Sequence, residues 1–83
     1  MILHIGNDEF VPLSSIVAVL DAHAHPELME QALSMQKKGR DVRRAGAQEV
    51  KSLVIVAVGP RRMFFLSPIS VQTLRKRVES GSA

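Results

Sequence analysis

Basic side chains crowd the second half of this chain. Arg40, Arg43 and Arg44 fall within five residues of one another, Lys51 follows, and Arg61 and Arg62 stand side by side further on. A guanidinium is a planar fork of N–H donors that can grip a phosphate through two parallel hydrogen bonds, whereas a lysine adds a point charge. Carried on a loop, such groups reach the backbone of a polyanion and hold a protein on it without reading bases. The same loop can also serve only to keep the chain soluble, and for one copy the two readings weigh equally. Self-association would multiply the patch and favours binding. There is no Trp or Tyr, and Phe10, Phe64 and Phe65 are the only aromatic residues. That argues against a stacking platform for single strands and makes the backbone of duplex DNA the better polyanion.

Other chemistry is sparse. Asp21, His23 and His25 alternate in DAHAH, so an extended chain would place two imidazoles and a carboxylate on one side, a set that can ligate a divalent ion. No second cluster accompanies them, and His4 is far away in sequence. The favoured reading is a strand-to-helix connection with exposed histidines, His25 serving as a helix cap. Ser14 and Ser15 lack a nucleophile setting, and no paired carboxylates stand out. Neither glycine-rich phosphate motif occurs. The absence of Cys removes thiol chemistry, disulfides and Cys-based zinc sites. No enzyme activity, cofactor, metal or small-molecule substrate is therefore expected.

The cations are unevenly placed. All eleven Lys and Arg lie at residue 37 or beyond, so the chain before that point carries −5 from Asp8, Glu9, Asp21, Glu27 and Glu30. The remainder carries +8, because only Asp41, Glu49 and Glu79 oppose the eleven cations. Such asymmetry means either a basic face for phosphates or two faces that attract each other between copies. With 83 residues, one domain over 1–83 is expected, and its modest core would gain from self-association. No leader-like segment or apolar run near ~20 residues is visible, so the expected location is the cytoplasm, without membrane contact.

The elements that must position these groups follow from patterning. ILHI (2–5) reads as a strand, GNDE (6–9) as a turn, and Pro12 limits FVPL to an edge or a break. IVAVL (16–20) reads as a strand. A helix is expected over 26–39: Pro26 suits its first position, and Leu28, Met29, Ala32, Leu33, Met35 and Gln36 share one side. Glu27, Glu30, Ser34, Lys37 and Lys38 point away, and Gly39 supplies the left-handed residue after the end. Residues 40–49 read as a polar basic loop. LVIVAV (53–58) and MFFL (63–66) form a hairpin about a GPRR turn (59–62). A second helix starts with Ser70 as cap and runs to about Glu79, leaving residues 81–83 as a tail. Its buried stripe is Val71, Leu74 and Val78. Arg75 and Arg77 flank that stripe and Lys76 lies opposite, so the helix reads as a structural closure with a solvated basic end.

Three of the strands are apolar on both faces, whereas a small sheet with one wet face should alternate. Two short helices should hardly cover both faces, so the second is expected to bury itself against other copies of the chain.

The order of LHIGNDEFVPLSSIVAVLD, LVIVAVGPRRMFFLSPIS and TLRKRV resembles the RemA/RemB family of small bacterial regulators over nearly the whole chain. The SPIS–TLRKR portion looks closer to the RemB branch. The resemblance implies a DNA-binding activator of extracellular-matrix (biofilm) genes. It further implies a LytTR-like fold and a ring-shaped homo-oligomer that engages DNA along a basic rim. Two departures stand out. Ser15 sits where RemA-like proteins carry Arg before the first β-rich strand, and Gln48, Glu49 and Val50 replace a Gly-Arg-Arg. Arg43 and Arg44 are then either its displaced equivalent or the site is lost. The expectation is an α+β domain with a small antiparallel sheet and two helices, assembling into a ring. Arg40, Arg43, Arg44 and Lys51 would contact DNA phosphates, with Arg61 and Arg62 second. The alternative is an interaction module that has lost DNA binding and co-assembles with a DNA-binding paralogue.

Overall fold

The computed structural model describes residues 1–80; the expected tail at 81–83 lies outside the described residues. The chain runs β1 (Ile2–Gly6), β2 (Glu9–Pro12), a 3-10 turn (Leu13–Ser15), β3 (Ile16–Asp21), α1 (Pro26–Lys37), β4 (Val42–Arg44), β5 (Ser52–Val58), β6 (Arg61–Ser67) and α2 (Val71–Glu79). The α+β class and the two helices agree with the sequence reading. The sheet is not one antiparallel unit, however. β1 and β2 form a two-stranded antiparallel hairpin, and a separate mixed sheet has the order β3-β5-β6-β4. Its outermost strand β4 runs parallel to β6, Val42 matching Phe64 and Arg44 matching Leu66. No helix among the described residues is long and apolar enough to cross a membrane.

Local chemistry explains the helix ends. α1 begins at Pro26, whose missing N–H would have no helical partner anyway. His25 caps it only through its backbone, its carbonyl accepting from Met29 N at 3.1 Å, so the expected side-chain cap is absent. The other end is a Schellman motif: Gly39 sits at φ +68, Arg40 N donates to Met35 O at 2.9 Å and Gly39 N to Gln36 O at 3.0 Å. α2 starts where Ser70 Oγ accepts from Thr73 N at 3.2 Å, as the sequence implied.

The four-stranded sheet is apolar on both sides because one chain covers both. On one face the β1–β2 hairpin and α2 pack Leu3, Ile5, Val11 and Leu74 onto Val54, Val56 and Phe65. On the other face α1 sets Ala32, Leu28 and Met29 against Leu53, Leu66 and Phe64. The expectation that the second face needs another copy fails for this reason: the hairpin, not a second helix alone, completes the first layer and frees α1 for the other. Alternation is found instead in the hairpin, where Leu3, Ile5 and Val11 are buried while Ile2 and Phe10 are 47% and 52% exposed. Both predicted helical stripes are narrower than expected, since Leu33 and Val78 are 38% and 41% exposed.

The layers are tied at one end of the sheet by two serines. Ser52 and Ser67 lie opposite each other on β5 and β6, and neither is exposed. Ser67 Oγ donates to Ile5 O of the hairpin at 2.6 Å and accepts from Ile69 N at 3.1 Å. Ser52 Oγ donates to Ile69 O at 2.7 Å. Beside them Gly6 sits at φ +129, where a Cβ would come within 2.7 Å of Ala45 O and 2.8 Å of Pro68 Cδ, so no side chain fits. A hydroxyl shared by two buried backbone groups is costly to delete, because both lose their partner in a site that water does not reach. Ser67→Ala is expected to lower unfolding free energy by about 1–3 kcal/mol in urea titrations. A loss below about 0.5 kcal/mol would reduce the residue to the weight of an ordinary surface position.

Candidate nucleic-acid interface

Four of the six cations expected at a DNA surface sit on strands, only Arg40 and Lys51 lie on connecting segments, and the six do not form one patch. Arg43 and Arg44 belong to β4, and Arg61 and Arg62 open β6; only Gly59 and Pro60 make the turn. β4 escaped the sequence reading because Val-Arg-Arg has no apolar run. It is held by pairing with β6 and by half-buried Val42 packing beside Phe64. Successive residues of a strand point to opposite faces, so each arginine pair is split.

Arg43 turns to the hairpin side and pairs with Glu9 of β2, Nη2 to Oε1 at 2.8 Å. Arg61 pairs with Asp41, which sits at φ +41 just before β4 and whose carbonyl accepts from Phe64 N at 2.9 Å. Together Asp41, Arg43 and Arg61 line a shallow concavity of about 300 Å³ over Val42, Val58 and Met63. Arg40 is exposed just after the end of α1, and Arg62, opposite Ala57, is exposed next to Arg61. At this end of the sheet Arg43 and Arg61 therefore share the hairpin side, whereas Arg62 belongs to the opposite face and Arg40 is exposed near the end of α1.

The other two sites fall elsewhere. Arg44 folds back over its own loop, Nε donating to Gly46 O at 3.2 Å and Nη2 to Gln48 O at 3.1 Å. Its guanidinium holds residues 45–48 in place. Lys51 follows that loop, its N–H donating to Ser67 O, at the far end of β6. Six residue steps at ~3.3 Å put it roughly 20 Å from Arg61. A single phosphate cannot bridge these groups, although successive phosphates along a duplex can.

The carboxylates were not foreseen as part of this surface. The guanidinium side chains of Arg43 and Arg61 are 61% and 68% exposed, whereas Glu9 and Asp41 are 21% and 20% exposed. The acids thus sit underneath and the arginines above them. An exposed ion pair of this kind contributes about 0–1 kcal/mol, so the guanidiniums are oriented without being locked away. Nothing near Glu9 in the sequence announces its partner, which the hairpin brings across. Asp41, set between Arg40 and Arg43, was the one visible signal. Arg77 was also underrated: its Nη1 donates to His4 O at 2.8 Å and binds the end of α2 to β1.

DAHAH is not extended beyond Asp21. Residues 22–24 form a turn, and Asp21 Oδ1 accepts from His23 N at 2.8 Å. His23 Nε2 lies 3.4 Å from Glu49 Oε2, both side chains being largely exposed. Among the described residues no three His, Cys, Asp or Glu side chains gather into a metal-binding group. The alternation that suggested ligation is thus broken by the turn. The two departures, Ser15 and Glu49, lie at opposite ends of the sheet, Ser15 before Ile16 and Glu49 near His23.

The family model for RemA-like proteins, described as extracellular matrix regulatory protein A-like, matches residues 2–78. The chain belongs to the RemA-like family. The matched span holds all six strands, all six candidate cations and α2 but for its last residue. RemA-like membership assigns the protein to extracellular matrix regulation. No curated protein matches the chain.

The two kinds of arginine should separate experimentally. Arg44→Ala is expected to accelerate amide hydrogen exchange across residues 46–49, because it removes the donors that hold that loop. Arg43→Ala and Arg61→Ala should leave those amides unchanged and shift stability by less than about 1 kcal/mol. Equal protection in the Arg44 variant would show that the loop holds itself.

Proposed function

We propose that this RemA-like protein is a sequence-tolerant DNA-binding transcription regulator of extracellular-matrix (biofilm) genes. It acts in the cytoplasm as a homo-oligomer and catalyses no reaction. Resemblance to the RemA/RemB family, closest to its RemB branch, supports a ring-shaped assembly with LytTR-like protomers. The observation that carries the reading is the outer sheet edge, where Arg43 and Arg61 share one concavity, with Arg40 and Arg62 exposed at the same end of the sheet. Their guanidiniums are held outward by carboxylates beneath. A phosphate approaching this edge meets oriented donors and displaces only weak surface pairs. Lys51 would touch a second stretch of backbone, and Arg44 acts mainly by shaping the loop between.

A second reading is favoured by those same carboxylates. Glu9, Asp41 and Glu49 offset part of the positive charge, which suits a member that keeps the assembly, has lost direct DNA binding and co-assembles with a DNA-binding paralogue.

Fluorescence anisotropy with duplex DNA across a salt series separates the two. On the first reading, log K falls linearly with log salt with a slope of about −0.9 per phosphate neutralised. Arg43→Ala with Arg61→Ala should weaken binding about tenfold or more at low salt, reduce the slope by about two, and leave the oligomer mass unchanged. Lys51→Ala should cost less. Absence of binding at low salt by folded, oligomeric protein would select the second reading.

A further inference from the structure

The sheet edge opposite the arginines is apolar and unsuited to strand addition. β3 is the outer strand there, but its register with β5 breaks between Ile16 and Ala18, leaving Val17 bulged and 52% exposed. Bulges of this kind twist an edge away from a flat pairing partner. Beside β3 runs an open groove of about 360 Å³, lined by Leu13, Ile16 and Val19 on one side and by Val71 and Val78 of α2 on the other. Val78 is 41% exposed although it continues the apolar stripe of the helix. Arg75 and Glu79, one turn apart on α2, line the same groove. Among the described residues neither enters an ion pair; the pairs present are His23–Glu49, Arg43–Glu9 and Arg61–Asp41.

We propose that this groove is the contact of a two-fold dimer in which α2 of one copy lies antiparallel to α2 of a second. An apolar groove alone would suit many partners. The order of charges along α2 suits a second copy of this chain. Reversing a helix that carries a cation followed one turn later by an anion sets Arg75 beside Glu79 of the second copy, and Glu79 beside its Arg75. The two-fold axis then passes level with residue 77, midway between Arg75 and Glu79, and sets Val78 only about 3 Å along the helix from its own equivalent. Such a contact is isologous, with both copies using the same patch. The inference rests on the reading that the protein self-associates, and it adds the surface and a symmetry. Copies joined in this way come in pairs, so the subunit number is even, which a simple ring does not require.

Charge exchange tests this directly by sedimentation velocity on the full chain. Wild-type protein is expected as an even multiple of the protomer mass. Arg75→Glu or Glu79→Arg alone sets like charges together in both halves of the contact, and each should weaken the pairing at least tenfold and halve the mass. An equimolar mixture of the two variants should recover the wild-type mass, because one copy then carries two anions and the other two cations. Repair within a single helix cannot produce that result, since each helix in the mixture still carries like charges.

A cysteine reporter covers the case in which a charge variant does not fold. The chain has no Cys, so Val78→Cys should give a disulfide-linked dimer on mild oxidation. Val58→Cys on β5, at a position that is 49% exposed against 41% for Val78, should react far more slowly. A monomeric wild type would overturn self-association and this contact together. An oligomeric wild type would overturn this contact alone if its mass is odd-numbered, if the charge variants leave it intact, if the mixture does not recover, or if Val78→Cys links no faster than Val58→Cys.

Discussion

The architecture depends on what happens to backbone polar groups where three segments meet at the Ser52–Ser67 end of the sheet. The end of β1, the end of β6 and the lead into α2 converge there around Ser52 and Ser67, which are fully buried. Their peptide groups need partners, and two short hydroxyls supply them: Ser67 bridges Ile5 O and Ile69 N, and Ser52 takes Ile69 O. Around this knot Lys51 N reaches Ser67 O, and Ala45 N reaches Leu66 O. Hairpin, sheet and terminal helix are joined by these few bonds, and among the described residues no buried side-chain polar atom is left without a partner. The Ser-Pro-Ile-Ser segment is therefore a joint: Ser67 ties, Pro68 packs on Gly6, and Ser70 starts the helix.

That joint divides the molecule's edges by role. With the hairpin and α2 on one face and α1 on the other, neither broad face of the sheet is left bare. What stays open are the two edge strands. At the β4 edge the exposed groups are guanidiniums seated on half-buried carboxylates. At the β3 edge they are a bulged valine and an apolar groove beside α2. On the proposed reading, phosphate binding and self-association would use different edges of the sheet.

Much of the fold was legible in the residues. Pro26 and Gly39 marked the ends of α1, Ser70 marked the start of α2, and runs of β-branched residues marked β3 and β5, because each signal acts over one or two turns of chain. β4 was not legible. Three residues with two charges carry no period, and their strand geometry comes from hydrogen bonds to β6. The oligomer argument drawn from two-faced strands failed for a related reason. Apolar residues on both faces state that both must be covered, but not by what, and the hairpin turned out to be part of the cover.

The candidate site shows the same division. The sequence by itself determined the supply of charge: every cation beyond residue 36, no aromatic platform, no thiol, and a pattern sufficient to place the chain among RemA-like proteins. Only tertiary structure decided which cations act together. Strand alternation separated Arg43 from Arg44. The length of β6 moved Lys51 to the far end, and the hairpin and the β4 lead-in placed Glu9 and Asp41 beneath the arginines. The physical reason is range. Propensity and capping are set by neighbours in sequence, whereas a binding surface is set by which distant residues the packed layers leave side by side.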